Sequence, residues 1–251
     1  MKTIVYCECA HYTGLVPDEK RSAVNAALAN SSAAVIRVAD LCWLAASKDP
    51  ALAALRDSEE LTIIACQPRA VRWLFHAGGA SFGGRKIELL DMRTQTAEEI
   101  IARISEPKSS LASGTGKHGD KGAIEKPATD WVPWFPTIDY RRCKNCKQCL
   151  SFCLFGVYEA DEKGRMVVKN PHKCKTNCPA CARICPEVAI IFAKCTESPI
   201  NGAEITDEET ARANVKVNME KILGSDPYKA LAERRKQAKT KLVDRDKLKR
   251  D

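Results

Sequence analysis

Short apolar runs of strand length alternate with amphipathic runs of helix length from residue 1 to residue 104. "TIVYC", starting at Thr3, reads as a buried strand. "DEKRSAVNAALANS" follows as a helix, with Asp18 and Glu19 early, where the helix dipole favours acids. "AAVIRVA" is a second strand, and "LCWLAAS" begins another helical stretch. "LTIIAC" is a third strand, and "PRAVRWLFHAGG" is a helix that stops at glycine. "KIELLDM" and "TAEEIIARI" complete the series as a fourth strand and a fourth helix. Alternation of this kind predicts a parallel sheet covered on both faces, with right-handed connections. The expected fold of 1–104 is therefore a small doubly wound α/β domain.

The pattern then breaks. Residues 105–130 turn to Gly, Ser, Lys and Pro, which cannot bury enough apolar surface to offset ordering entropy, and are expected to form a flexible linker. "WVPWFP" follows, either as an extended strap packed on the next domain or as a docking segment for a partner. Residues 131–200 make up a cysteine-rich domain. Residues 201–251 form a charged tail in which apolar positions are sparse after Leu231, expected to be helical or disordered.

Composition narrows the chemistry. A chain of 251 residues makes one or two domains. Its N-terminus lacks the apolar core and cleavage site of a signal peptide, and no apolar stretch reaches the ~20 residues of a membrane span. The expectation is a cytoplasmic protein, where thiols stay reduced. Thirteen cysteines then point to metal binding or redox work rather than disulfides. The net charge of +8 raises nucleic acid as a partner. Yet residues 137–200 hold eleven Lys/Arg against six Asp/Glu, and several bases sit beside cysteines: Lys144, Lys147, Lys173, Lys175 and Arg183. They lack the interleaved aromatics of a stacking platform, so no nucleic-acid partner is expected. His11, His76, His118 and His172 show no pairing that suggests a catalytic base.

Two cysteine runs carry the strongest signal. The first is C-x2-C-x2-C-x3-C at Cys143, Cys146, Cys149 and Cys153; the second is C-x3-C-x2-C-x3-C-P at Cys174, Cys178, Cys181 and Cys185. Short spacing lets three thiolates on one loop cap three irons of a cubane, and the fourth ligand must come from farther away. Zinc takes four ligands in a tetrahedron, often as C-x2-C pairs; two runs of four cysteines fit cubane clusters better. Over about sixty residues the pattern resembles the two-cluster bacterial-type ferredoxins, an α+β fold in which the fourth cysteine of each run serves the other cluster. The resemblance implies one [4Fe–4S] cluster on Cys143, Cys146, Cys149 and Cys185, and a second on Cys174, Cys178, Cys181 and Cys153. It also implies a hairpin over "GVYEADEKGRMVVKN", with "GVYE" and "AIIF" as paired outer strands. Two departures stand out. Leu154 replaces the proline expected after Cys153, and the second run has an extra residue, for which a bulge at Asn177 is the expected solution. Cys195 is read as a small buried apolar residue or a substitute ligand.

The first domain has cysteines of its own. Cys7 and Cys9 end the first strand, Cys42 follows the second and Cys66 ends the third. Carboxyl ends of parallel strands share one edge, where ligands collect, and Asp91 falls at the same edge. Three readings stand: ordinary buried cysteines, a third cluster or other metal on Cys7, Cys9, Cys42 and Cys66, or a dithiol pair at Cys7 and Cys9. "VYCECA", "ADLCWLA" and "IIACQPRAVRWLF" followed by "AGG" resemble the N-terminal region of the large, flavin-containing subunit of heterodisulfide reductase. Cys66, Pro68 and Arg69 match its Cys-x-Pro-Arg motif. That region's association with an iron–sulfur cluster favours the metal reading. The flavin domain is missing: "HAGGASFGG" follows a helix and precedes a strand, the wrong order for a dinucleotide site, so no flavin or nicotinamide site is expected. The Cys-Cys-Gly motifs of the catalytic subunit are absent too.

Together these readings predict an electron-transfer subunit of a larger, hetero-oligomeric cytoplasmic oxidoreductase, with redox proteins as partners and no catalytic residues. The main alternative is a reductase whose N-terminal cysteine crevice binds a small substrate at an open iron. A scaffold with a metal-free docking domain is the third.

Overall fold

The computed structural model describes residues 2–105, 122–125 and 129–224, with positions 226, 229, 230, 232 and 233. His118, most of the expected linker and the end of the tail lie outside the described residues. The N-terminal half is a five-stranded sheet in the order β4-β3-β1-β2-β5, with every neighbouring pair parallel. Its strands are β1 (Lys2–Cys7), β2 (Ala34–Val38), β3 (Glu60–Ala65), β4 (Glu88–Asp91) and β5 (Gly122–Ile124). The helices are α1 (Asp18–Ala29), α2 (Leu41–Ser47), α3 (Ala51–Arg56), α4 (Pro68–Ala77) and α5 (Ala97–Ser105).

Topology decides which face each helix covers. The chain steps one way along the sheet from β1 to β2, reverses to β3 and β4, and reverses again to β5. With connections of one hand, α1 and α5 must share a face and α2, α3 and α4 must take the other. The packing agrees. Ile4, Tyr6, Val35, Ile64 and Leu90 form one core with Val24, Leu28, Ile100 and Ile104. Val5, Leu61 and Ile63 form the other with Leu44, Leu52, Leu74 and Phe75. Each such fully buried side chain contributes roughly 1.5–3 kcal/mol.

The fifth strand corrects the linker expectation. Residues 122–124 fall inside 105–130, yet they pair with Ile36–Val38 and complete the sheet. Backbone pairing with an open edge ordered them where composition predicted none.

The cysteine-rich half has short elements: β6 (Thr137–Ile138), α6 (Gln148–Phe152), β7 (Tyr158–Ala160), β8 (Met166–Val168), α7 (Ala180–Arg183) and β9 (Ile190–Ile191). β7 and β8 form the expected hairpin. The expected pairing of "GVYE" with "AIIF" is not found. Ile190–Ile191 instead pairs antiparallel with Thr137–Ile138, the segment that follows the strap. The tail begins as a docked helix, α8 (Glu208–Leu223), whose Ala211, Val215 and Met219 pack on Ile184 and Val188. Among the described residues no helix is long and apolar enough to cross a membrane.

The two halves are packed together. Trp134 and Phe135 of the strap are buried, and Trp134 lies between Tyr12 and Phe192, at ring distances of 6.1 and 5.6 Å. Arg69 of α4 crosses the boundary, donating to Asp139 Oδ2 (2.9 Å) and to the carbonyls of Val188 (2.6 Å) and Pro199 (3.5 Å). Gly202 lies against Ala70, so close that an added Cβ would sit 2.8 Å from the Ala70 nitrogen.

Candidate metal centres

Three cavities in the chain are each lined by four cysteines. The first lies at the carboxyl edge of the sheet. β1 and β3 are neighbours, and the direction of the connections reverses between them, so the crevice between their ends is the topological switch point. Cys7 is the last residue of β1, and Cys66 directly follows β3. Cys42 sits in the first turn of α2, whose start is fixed by Asp40: its carboxylate accepts from the backbone N–H groups of Cys42 (2.9 Å) and Trp43 (3.3 Å). Cys9 has left-handed backbone, φ +53°. That turn keeps both Cys7 and Cys9 on the cavity wall, where a straight strand continuation would not be needed. Cys7, Cys9, Cys42 and Cys66 all line this space. The Leu41 N–H donates to Cys7 Sγ at 3.4 Å. Asp91 lies at the same edge but not on the cavity; its carboxylate holds the turn into α5 by accepting from the N–H groups of Arg93 and Thr94 and the Thr94 hydroxyl.

Cys143, Cys146, Cys149 and Cys185 line the second cavity, and Cys153, Cys174, Cys178 and Cys181 the third. Each fourth member thus comes from the other run. The Ala189 N–H donates to Cys185 Sγ at 3.4 Å, and the Tyr158 hydroxyl lies 3.1 Å from Cys181 Sγ. The longer loop between Cys174 and Cys178 is absorbed at Asn177, at φ +61°. Leu154 is 80% exposed, so proline's absence there leaves nothing unpacked. Cys195 is buried among apolar side chains and lines none of the three cavities.

The three spaces measure about 30, 20 and 200 Å³. Each exceeds the ~10–15 Å³ needed for one water, whereas close-packed structural cysteines would leave no void. Metal-free, the most deeply placed thiols are held protonated. Burial pushes Cys66, Cys149 and Cys174 up to about 12, and in each the next cause is a facing cysteine: Cys9, Cys185 and Cys153 respectively. Among the described residues, no three Cys, His, Asp or Glu side chains stand close enough to share one metal ion. A tetrahedral zinc site would bring its sulfurs within about 4 Å of one another. A cubane asks for wider spacing, since each thiolate takes a different iron.

Comparison with known proteins bears on the donor set. A 91-residue segment is 31% identical to the pyruvate synthase subunit PorD of Methanocaldococcus jannaschii, spanning 36% of this chain and 88% of that protein. The chain belongs to the ferredoxins. A 62-residue segment is 56% identical to an uncharacterized ferredoxin of the same organism, covering 24% of this chain and 42% of that protein. The chain therefore spans less than half the length of that relative. No family model matches this ferredoxin, and no solved structure matches it. The relatives imply iron–sulfur clusters in it; neither covers the length of the chain.

One polar residue of the ferredoxin escaped the sequence reading. Lys194 precedes Cys195 in the apolar run "AIIFAKC", yet its side chain is only 3% exposed. Its ammonium donates to Asp40 Oδ2 at 2.7 Å and reaches Cys9 Sγ at 3.5 Å, so it enters the cavity of the other half. His11 Nδ1 lies 3.2 Å from the same carboxylate oxygen. A lone lysine in an apolar run was the available signal, because a buried ammonium needs a carboxylate or an anionic site.

Proposed function

We propose that this ferredoxin is a one-electron relay within a hetero-oligomeric cytoplasmic oxidoreductase, and that it carries three [4Fe–4S] clusters. The observation that carries the reading is the set of three four-cysteine cavities. Cys143, Cys146, Cys149 and Cys185 would hold one cluster, Cys174, Cys178, Cys181 and Cys153 the second, and Cys7, Cys9, Cys42 and Cys66 the third. Soft thiolates are the donors such clusters take, and each supplies reversible one-electron redox chemistry when bound. The chain's own residues orient the sulfurs. Leu41 and Ala189 donate backbone N–H to Cys7 and Cys185, Tyr158 fixes Cys181, and the apolar walls exclude water. Strap and α4 hold the two halves in register.

One relative is named as a subunit of pyruvate synthase, which supports a place among partner subunits that supply and withdraw electrons. The reductase alternative needs an open iron; four cysteines around the N-terminal cavity support full ligation instead.

The test is iron and sulfide content of the full chain reconstituted without oxygen, with spectroscopy of the reduced protein. About twelve irons per chain are expected, four per cubane, and about eight in Cys66→Ser or Cys181→Ala. About eight in the unaltered chain, unchanged by Cys66→Ser, would remove the third cluster. Full iron in Cys181→Ala would overturn the ligand sets of the ferredoxin half.

A further inference from the structure

The three cavities differ in charge. Arg21, Arg93 and Lys194 line the N-terminal one, with the Asp40 carboxylate behind Lys194 at 2.7 Å, so cations outnumber the facing carboxylate. The Cys143 cavity has Lys144, Lys147 and Glu187, but the Lys144 side chain is 72% exposed, so water and salt screen it. Among its described lining residues, the Cys174 cavity has no charged side chain at all. Lys173 and Lys175 are its sequence neighbours, but they are exposed and do not line it, so water and salt screen them.

Lys194 is the buried member of the cationic set. Its position is over-determined: Asp40 accepts its proton-bearing nitrogen, Asp40 is itself fixed as the cap of α2, and Arg93 donates to the flanking carbonyls of Ala193 (3.2 Å) and Cys195 (2.7 Å). Hydrogen bonds to cluster sulfur and nearby positive charge favour the reduced, more anionic state of an iron–sulfur site. Lys194 brings both effects to Cys9 in one group.

We propose that Lys194 sets the potential of the N-terminal cluster, making that site the most oxidising of the three and the electron sink of the chain. This rests on the three-cluster reading above. One electron leaves a reduced cluster of the ferredoxin half and enters the oxidised N-terminal one; no bond breaks and no proton moves. The ultimate reductant is an external one-electron donor. The N-terminal site is then composite: its sulfurs come from one half and its buried cation, Lys194, from the other, so undocking the halves would change its potential.

The test is an anaerobic redox titration of the full chain, followed by paramagnetic resonance, with Cys66→Ser identifying the N-terminal signal. That signal should be the most positive of the three. Lys194→Met should lower its reduction equilibrium about tenfold or more, about 59 mV for one electron, while the other two signals stay put. Lys194→Arg should restore most of it. A Lys194→Met chain leaves Asp40 with His11 and its two backbone donors on α2, so Lys194→Met with Asp40→Asn serves where the single variant loses iron, and the same signal should still fall, by less, because the Cys9 hydrogen bond is lost while the two removed charges offset. A third cluster whose potential ignores both variants, or is not the most positive in the unaltered chain, overturns the proposal while leaving the three-cluster reading intact. A chain with only two clusters overturns both.

Discussion

Arg69→Met should loosen the joint between the halves by about 3–4 kcal/mol. Arg69 is 2% exposed and Asp139 is as deeply buried. Methionine matches the length of the arginine stem, so packing changes little and the loss is polar. Removing one partner of a buried pair costs about 3–5 kcal/mol because the other charge is stranded. Asp139 is not wholly stranded. Its Oδ1 still accepts the Arg141 N–H at 3.1 Å, and the Arg141 guanidinium lies 3.5 Å away. That puts the pair near 3 kcal/mol. The Val188 carbonyl also loses its 2.6 Å donor, adding up to about 1 kcal/mol. The assay is urea unfolding of the metal-loaded chain without oxygen, read by bleaching of the cluster absorbance and by tryptophan fluorescence. With a slope of about 3 kcal/mol per molar, the midpoint should fall by about 1 M. Adding Asp139→Asn removes the stranded charge and should recover at least ~1.5 kcal/mol. A loss below ~1 kcal/mol in Arg69→Met, or a double variant no better than the single, would refute the clamp.

Two smaller changes probe the same architecture. Gly202→Ala places a Cβ 2.5 Å from Ala70 Cβ and 2.8 Å from its nitrogen, at φ +91°. It should cost at least ~2 kcal/mol in the same urea assay, and Ala70→Gly should recover only part, since the backbone clash remains. Asn177→Ala forces alanine to φ +61° and should cost about 1 kcal/mol, whereas Asn177→Gly should be neutral; equal midpoints for the two would show that the bulge is not strained.

Much of the site is legible locally. Periodicity locates four strands, and a parallel sheet sends their carboxyl ends to one edge, so Cys7, Cys9, Cys42 and Cys66 can be grouped from the sequence. The spare residue before Cys178 likewise pointed to Asn177, because few residues accept left-handed backbone. What local pattern cannot carry is long-range pairing. Lys194 and Asp40 are 154 residues apart, and Arg69 and Asp139 are 70 apart. The motif that includes Arg69 named the residue without revealing that its partner lies in the other half. The pairing of Ile190–Ile191 with Thr137–Ile138 was missed, in favour of "GVYE", for a related reason: two-residue strands have too little alternation to specify a neighbour.

β5 has a practical consequence for anyone who would divide this protein. Its three residues lie beyond α5 and before the strap, yet they shield the outer edge of β2 through Ile36, Arg37 and Val38, and Ala39 N–H bonds Ile124 at 3.0 Å. A shortened polypeptide ending near residue 105 would leave "AVIRV" as a bare rim of unpaired backbone on a β-branched, mostly apolar strand. Such a rim recruits strands from neighbouring molecules, so the shortened product should go to inclusion bodies or sticky oligomers. A cut made after Ile124 keeps the rim covered, which moves the natural place to sever the gene about twenty codons downstream of where composition alone would put it.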